Sequence, residues 1–251
     1  MNKKNAKSWE IYLLLFAMFF PFCYTFMYFV ALANFDPVWQ KGVFSGSKII
    51  QFSIPIVWIA VVLREKWLIR RFSRRGVIEG VAFGLLVFVA MLCLYQFYLK
   101  LPGGALAPDS AAVMEIKAKV KAFNIESPWI FLIFGSFYVV FHSGLEEYYW
   151  RWFVFGKLKS WLQYNSKNTV AIITIAIVAS SAGFMLHHII LLCKYFGYAN
   201  PLAWIGSLGV GIGGAYWAWS YNRFDSIWPA WISHGMIDAA IFIIGYLIIF
   251  K

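Results

Sequence analysis

Residues 129–155 have the sequence WIFLIFGSFYVVFHSGLEEYYWRWFVF, and this stretch decides the class of fold. It is longer than the roughly 20 residues that a helix needs to cross a bilayer. Glu146, Glu147 and Arg151 nevertheless lie inside it. A charge at the centre of a bilayer costs roughly 2.5 to 3.5 kcal/mol on insertion scales, so such residues usually face a bundle interior and have a function. The stretch therefore predicts a membrane-spanning helix that carries a functional site.

The rest of the chain is apolar to a similar degree. Of its 251 residues, 62% are hydrophobic and 13% are charged, against about 25% charged residues in soluble domains. This composition predicts an all-α fold, a polytopic transmembrane bundle of about seven spans, with six to eight allowed. We expect the spans at residues 11–33, 49–63, 77–99, 129–155, 169–192, 202–221 and 227–250. The second contains Pro55 and is short, so it needs a polar turn at residues 45–48 to complete a crossing.

Basic residues predict the orientation of the bundle. The loop 64–75 is short and strongly basic, and such loops stay in the cytoplasm. The N-terminus is then cytoplasmic, Lys48 falls in an outer connection, and we expect the protein in a bacterial cytoplasmic membrane. The net charge of +11 does not indicate nucleic-acid binding, because Lys and Arg cluster in short connections where they meet anionic lipid.

The N-terminus resembles a signal peptide in having three lysines before a hydrophobic run. Signal peptides have hydrophobic regions of roughly 7 to 15 residues, whereas residues 11–33 are uncharged throughout. We therefore expect an uncleaved first span.

The long outer connection contains a second kind of helix. Residues 109–123 place Ala112, Ile116, Val120 and Phe123 on one helical face, which predicts an amphipathic helix at the membrane interface. Such a helix either covers the bundle structurally or acts as a lid or substrate guide.

The first polar motif is Glu146-Glu147 followed by Arg151. Residues four apart on a helix are neighbours, so Glu147 and Arg151 are expected to form an ion pair. Glu146 then faces elsewhere. An unpaired carboxylate in an apolar site holds a proton more strongly, which suits a base that takes a proton from water. The alternative is an interhelical salt bridge that holds the bundle together.

Two further motifs follow in later spans. Phe184 and His188 lie on one helical stripe, while His187 is rotated roughly 100° away, so one histidine is expected to face the site. His234 and Asp238 are also four apart, and Asp238 can orient His234. The structural alternatives are hydrogen-bonded packing for His188 and a self-satisfied pair for His234 and Asp238.

These motifs together resemble the CAAX-protease and bacteriocin-processing (CPBP, or Abi) intramembrane peptidases, related to the Rce1-type CAAX prenyl endopeptidases. The family pattern is Glu-Glu-x-x-x-Arg, then Phe-x-x-x-His, then His-x-x-x-Asn or Asp, and this chain has all three in that order. The preceding Ser-Ile-Trp-Pro at residues 226–229 also looks like the family. The resemblance covers roughly residue 129 to the C-terminus. It predicts N-terminal helices and an amphipathic loop at residues 1–127 and a catalytic core at 128–251.

The resemblance implies a role for each matching residue. Glu146 and His188 would activate a water for attack on a peptide carbonyl. His234 and Asp238 would stabilise the oxyanion, with Glu147 and Arg151 in support. Since many relatives have Asn where this chain has Asp238, and a carboxylate repels an oxyanion, we expect Asp238 to hold His234 in its donating tautomer.

A metal ion is the main mechanistic alternative. Two histidines and up to three carboxylates could ligate Zn²⁺, which would lower the pKa of a bound water. The sequence has no His-Glu-x-x-His helix, and the resemblance implies a glutamate-type reaction. We therefore expect no cofactor.

The sequence as a whole predicts an intramembrane endopeptidase that hydrolyses a peptide bond of a membrane-associated protein or peptide. Two other functions are compatible with the motifs: a non-enzymatic immunity or scaffold protein, and a proton-coupled transporter. One conflict concerns depth, because the predicted spans put His188 in the outer half of the membrane and His234 in the inner half. Helix tilt and a later entry of the fifth span into lipid would bring them together.

Overall fold

The computed structural model describes residues 3–63 and 72–251, and all regular structure in these residues is helical. The α-helices are α1 (Lys3–Phe26), α2 (Pro37–Val57), α3 (Arg74–Leu94), α4 (Ala111–Ala122), α5 (Pro128–Phe137), α6 (Ser143–Glu147), α7 (Gly156–Asn165), α8 (Thr169–Phe196), α9 (Pro201–Phe224) and α10 (Trp228–Phe250). Five π-helical segments continue some of them, at Met27–Ala31, Trp58–Leu63, Tyr95–Leu99, Tyr138–His142 and Tyr148–Phe155.

Six helical stretches in the described residues are long and apolar enough to cross a membrane. They are Glu10–Ala31, Val38–Val61, Arg74–Leu99, Pro128–Tyr164, Thr169–Phe196 and Trp228–Phe250. The predicted sixth span also forms a helix, α9, but is not among them. The chain is an integral membrane protein with a helical bundle, as its composition predicts.

The second span begins earlier than predicted. The Asp36 side chain accepts a hydrogen bond from the Val38 backbone N–H at 2.7 Å, and Pro37 occupies the first helical position. Both features favour helix initiation. The predicted polar turn at 45–48 is therefore wrong, and Lys48 lies inside α2 rather than in an outer connection.

Most of the basic loop that predicts the orientation, residues 64–71, lies outside the described residues. The cytoplasmic N-terminus therefore stays a prediction.

Two extensive helix pairs, α3 with α10 and α8 with α9, form the frame of the bundle. A Cβ atom on Gly80 would lie 2.4 Å from the Pro229 carbonyl oxygen, so a larger side chain would clash with the α10 backbone. Gly76 and Gly84 are buried on the same face of α3. Small residues at four-residue spacing let two helices approach closely. The stripe on α3 thus sets the α3–α10 contact.

The glycines of α9 let this helix pack closely against α8. A Cβ on Gly211 would lie 2.9 Å from the Met185 sulfur, and one on Gly214 would lie 3.3 Å from the Phe184 ring. Gly209 faces open space. Gly211 and Gly214, three residues apart, therefore face α8 closely.

The amphipathic helix is present as α4. It starts after Ser110, whose hydroxyl accepts a hydrogen bond from the Val113 N–H. Ala112, Val113 and Val120 are buried, and the first two pack in a cluster with Ile244 of α10. The buried face therefore covers the bundle, and its position at a membrane interface stays a prediction.

Candidate active site

One long helical stretch, Pro128–Tyr164, carries the first polar motif through the bundle; we call it the site helix. It joins α5, α6 and α7 through two π-helical segments. The second segment, Tyr148–Phe155, has six of its residues buried. Local π-helical turns widen a helix and occur frequently at functional sites. Glu146, Glu147 and Arg151 are therefore all buried.

Glu147 and Arg151 form the predicted ion pair. Arg151 Nε lies 2.9 Å from Glu147 Oε2, and both side chains are 0% exposed. The guanidinium carbon also lies 5.1 Å from the centre of the Phe184 ring and 5.4 Å from that of Trp217. Cation–π contacts of this kind stabilise a desolvated cation. The prediction of this pair is confirmed.

His234 is oriented by Glu147. Its Nδ1 lies 2.9 Å from Glu147 Oε1, within hydrogen-bond distance. Asp238 Oδ1 lies 3.7 Å from His234 Nε2, which is too long for a hydrogen bond. The expectation that Asp238 fixes the tautomer of His234 is therefore wrong in geometry, because a carboxylate from another helix binds the opposite ring nitrogen.

Trp217 also contributes to the surroundings of His234. The two rings stack at 4.4 Å with an interplanar angle of 17°, and the indole N–H donates to Ser233 Oγ at 2.8 Å. Trp217 is buried, so it is a wall of the site.

Glu146 is not the unpaired carboxylate that the sequence predicts. Lys48 Nζ of α2 donates to Glu146 Oε1 at 3.1 Å. His142 Nε2 lies 3.6 Å from the same oxygen. The other oxygen, Oε2, lies 4.0 Å from His234 Nε2. Glu146 is thus held on one side by a cation and faces an imidazole on the other.

His188 and His187 both lie near Glu146. His188 Nδ1 is 2.9 Å from the Phe184 carbonyl oxygen, and His187 stacks on Trp150 at 5.9 Å. Both imidazoles are close enough to Glu146 to interact with it electrostatically. The surroundings of Glu146 therefore include His187 as well as the predicted His188.

The three motifs meet at one place. A Cβ on Gly235 would lie 2.7 Å from the Val139 carbonyl oxygen, so α10 approaches the site helix closely beside His234. The Phe184 ring lies 4.7 Å from His188 and 5.9 Å from His234. The predicted difference in depth between the two histidines is absent in the bundle. We call the residues assembled here the polar cluster: Lys48, His142, Glu146, Glu147, Arg151, His187, His188, His234 and Asp238.

Sequence reasoning missed three members of this cluster. His142 precedes Glu146 by four residues, so helical spacing places it on the same face and could have found it. His187 is adjacent to a motif residue. Lys48 belongs to no motif and lies 98 residues from its partner, so no local pattern indicates it.

The cluster fits a metal ion poorly. In the part of the chain that the structure describes, no three His, Cys, Asp or Glu side chains are arranged to hold one. The carboxylates are already paired with the protein's own cations, Glu146 with Lys48 and Glu147 with Arg151. An ammonium at 3.1 Å from Glu146 repels a second cation at that oxygen.

Comparison with known proteins gives one match. Residues 127–240 match the family model described as type II CAAX prenyl endopeptidase Rce1-like. Searches of curated proteins and of solved structures found no match. The matched segment is a little under half of the chain and contains every motif residue that carries the resemblance. Residues 127–240 are therefore similar to the Rce1-like protease family.

Proposed function

We propose that this protein is an intramembrane endopeptidase that hydrolyses a peptide bond of a membrane-associated protein or peptide. The Rce1-like family is a protease family. The observation that supports the proposal best is the convergence of Glu146 and His234 in a buried cluster, with a 4.0 Å approach between them. Buried ionisable groups in a membrane bundle are costly and generally serve a function.

In this proposal Glu146 and His188 activate the water. A backbone carbonyl can only accept, so the bond to Phe184 puts the proton of His188 on Nδ1 and leaves a lone pair on Nε2. Lys48 binds Glu146 Oε1, which leaves Oε2 free on the side of His234. Both groups therefore offer an acceptor for a water proton.

Hydrolysis then proceeds as an acyl transfer to water. The water oxygen attacks the peptide carbonyl carbon while its proton passes to Glu146 or His188. The carbonyl oxygen becomes an oxyanion. The stored proton passes to the amide nitrogen, the C–N bond breaks, and the products are a carboxylate and an amine.

His234 stabilises the oxyanion. Glu147 is bound to Arg151 and accepts from His234 Nδ1, so this nitrogen carries a proton and the ring is fixed. A proton on Nε2 makes that nitrogen a donor. Donors fixed in advance near a developing negative charge are the main source of rate enhancement in acyl transfer.

The proposed reaction uses no metal, since the carboxylates have cationic protein partners. We propose the lipid bilayer and a protein or peptide substrate as the partners. We also propose residues 128–251 as the catalytic core, and residues 1–127 as helices that complete it.

Cleavage of quenched reporter peptides in proteoliposomes tests the function. One reporter ends in a farnesylated CAAX sequence, and a second carries the same fluorophores on an unprenylated membrane-spanning segment. We expect the wild type to cleave one of them, with products identified by mass spectrometry. Glu146→Gln and His188→Ala, checked for insertion and monodispersity, should lose cleavage. Full cleavage by Glu146→Gln would contradict the proposal, and activity that survives chelation would support metal-free hydrolysis.

A further inference from the structure

Lys48 is the feature of the site that lies outside the segment matching the family. It belongs to α2, whereas the match begins at residue 127. Its side chain is 16% exposed, and it lies within a candidate membrane span, Val38–Val61. A lysine at such a position costs free energy unless it has a partner, and its partner is Glu146.

Aromatic side chains lie close to the Lys48 ammonium. Its Nζ lies 5.6 Å from the centre of the Tyr24 ring and 5.4 Å from that of Phe52. Tyr24 is itself fixed, because its hydroxyl donates to the buried Gln51 at 2.9 Å. Side chains of α1 and α2 thus hold the ammonium against the site helix.

We infer that Lys48 is a positioning residue for the water-activating carboxylate, an inference that rests on the proposed function. By binding Oε1, it selects one rotamer of Glu146 and aims Oε2 at the space beside His234 Nε2. It also offsets the negative charge of Glu146 where a second carboxylate, Asp238, lies close by. The N-terminal helices therefore complete the active site.

The position of His142 agrees with this role. It lies 3.6 Å from the same oxygen that Lys48 binds, so neither residue blocks Oε2. Loss of Lys48 would leave Oε1 without its charged donor and free the carboxylate to rotate. A misplacement of about 1 Å in a catalytic group can cost about 100-fold in rate.

The test compares Lys48→Met with Lys48→Arg and with a matched control, Lys41→Met, on the same helix. Lys41 lies near the Phe123 ring and away from the carboxylate. We measure kcat and KM per folded molecule in proteoliposomes. We expect Lys48→Met to lower kcat by about 100-fold with KM within about threefold. Lys48→Arg should recover about tenfold of that loss and stay about tenfold below the wild type, because it restores the charge but displaces it, and Lys41→Met should match the wild type.

Two results would overturn the inference: a kcat for Lys48→Met within about threefold of the wild type, or an equal loss in Lys48→Met and Lys41→Met. If Lys48→Met does not insert, Lys48→Arg decides, since a displaced charge should lower kcat at unchanged KM and a wild-type kcat would contradict positioning. Failure of the proposed function is a separate outcome, visible as full cleavage by Glu146→Gln or no cleavage by the wild type.

Discussion

Two ion pairs in this molecule have the same four-residue spacing and similar N–O distances, but one is exposed to solvent and the other is buried. Arg75 and Glu79 lie 3.1 Å apart with 75% and 30% of their side chains exposed. Glu147 and Arg151 lie 2.9 Å apart and are 0% exposed. The exposed pair shares Glu79 with Arg223 at 3.2 Å, as the buried pair shares Glu147 with His234. Spacing and distance therefore do not distinguish the pairs, and burial does.

Burial changes what such a pair contributes. An exposed pair is worth about 0 to 1 kcal/mol, because water already solvates both charges. A buried pair loses that solvation, and replacing both partners by apolar groups is often neutral or stabilising. The buried pair is thus poorly explained by stability alone. Its link to His234 gives a chemical reason for its presence.

The largest expected effect separates the two adjacent histidines of the polar cluster. His188→Ala should lower kcat by about 100- to 10,000-fold, the usual range for a lost general base. His187→Phe keeps a ring to stack on Trp150 and should stay within about tenfold of the wild type. Steady-state cleavage in proteoliposomes measures both. Equal losses would show that burial near Glu146, rather than tautomer and position, determines activity.

The second effect tests the two ion pairs directly. Arg151→Met leaves Glu147 buried without its cation and should lower the free energy of unfolding by roughly 3–5 kcal/mol. Arg75→Met should change it by less than about 1 kcal/mol. Unfolding in detergent with increasing SDS fraction measures the difference. Similar losses of unfolding free energy in the two variants would mean that burial does not distinguish the two ion pairs.

A third effect shows what stabilises the region of the exposed pair. Gly80 lies next to Glu79 and faces Pro229, so Gly80→Ala should destabilise the α3–α10 contact by about 1–3 kcal/mol through overpacking. Glu79→Gln should cost less than about 1 kcal/mol, and Gly209→Ala, at an open position, serves as the control. The same SDS titration decides. A larger cost for Glu79→Gln than for Gly80→Ala would mean that the exposed charges matter more than the close helix contact.

The smallest effect concerns Asp238. Since Glu147 holds His234 Nδ1 and Asp238 lies 3.7 Å from Nε2, Asp238→Asn should keep activity within about tenfold. Glu147→Gln should lose about 10- to 100-fold, because it weakens the bond that orients the ring. Cleavage rates per folded molecule provide the comparison. Complete loss of cleavage in a folded Asp238→Asn protein would mean that Asp238 orients His234.

The sequence predicts the helices well because apolar length decides where a chain crosses a membrane. The start of α2 was predictable too, since Asp36 and Pro37 form an ordinary helix start, but the small polar residues after them suggest a turn. This error comes from weighing a local signal incorrectly.

The site was predictable only in part. Helical spacing places Glu147 beside Arg151, and that pair forms. The partners of Glu146 and His234 lie 98 and 87 residues away. Such contacts depend on how α2, α10 and the site helix pack, which no local pattern contains. Long-range packing also explains why a distant carboxylate, rather than the neighbouring Asp238, orients His234.

The central claim is that the polar cluster is retained for hydrolysis and not for stability. The double variant Lys48→Met/Glu146→Met tests it most directly, because it replaces a buried pair with apolar groups of similar volume. The account predicts a Tm at or above that of the wild type, with no cleavage of the reporter that the wild type cuts. A double variant that still cleaves, or one that melts far below the wild type, would contradict it.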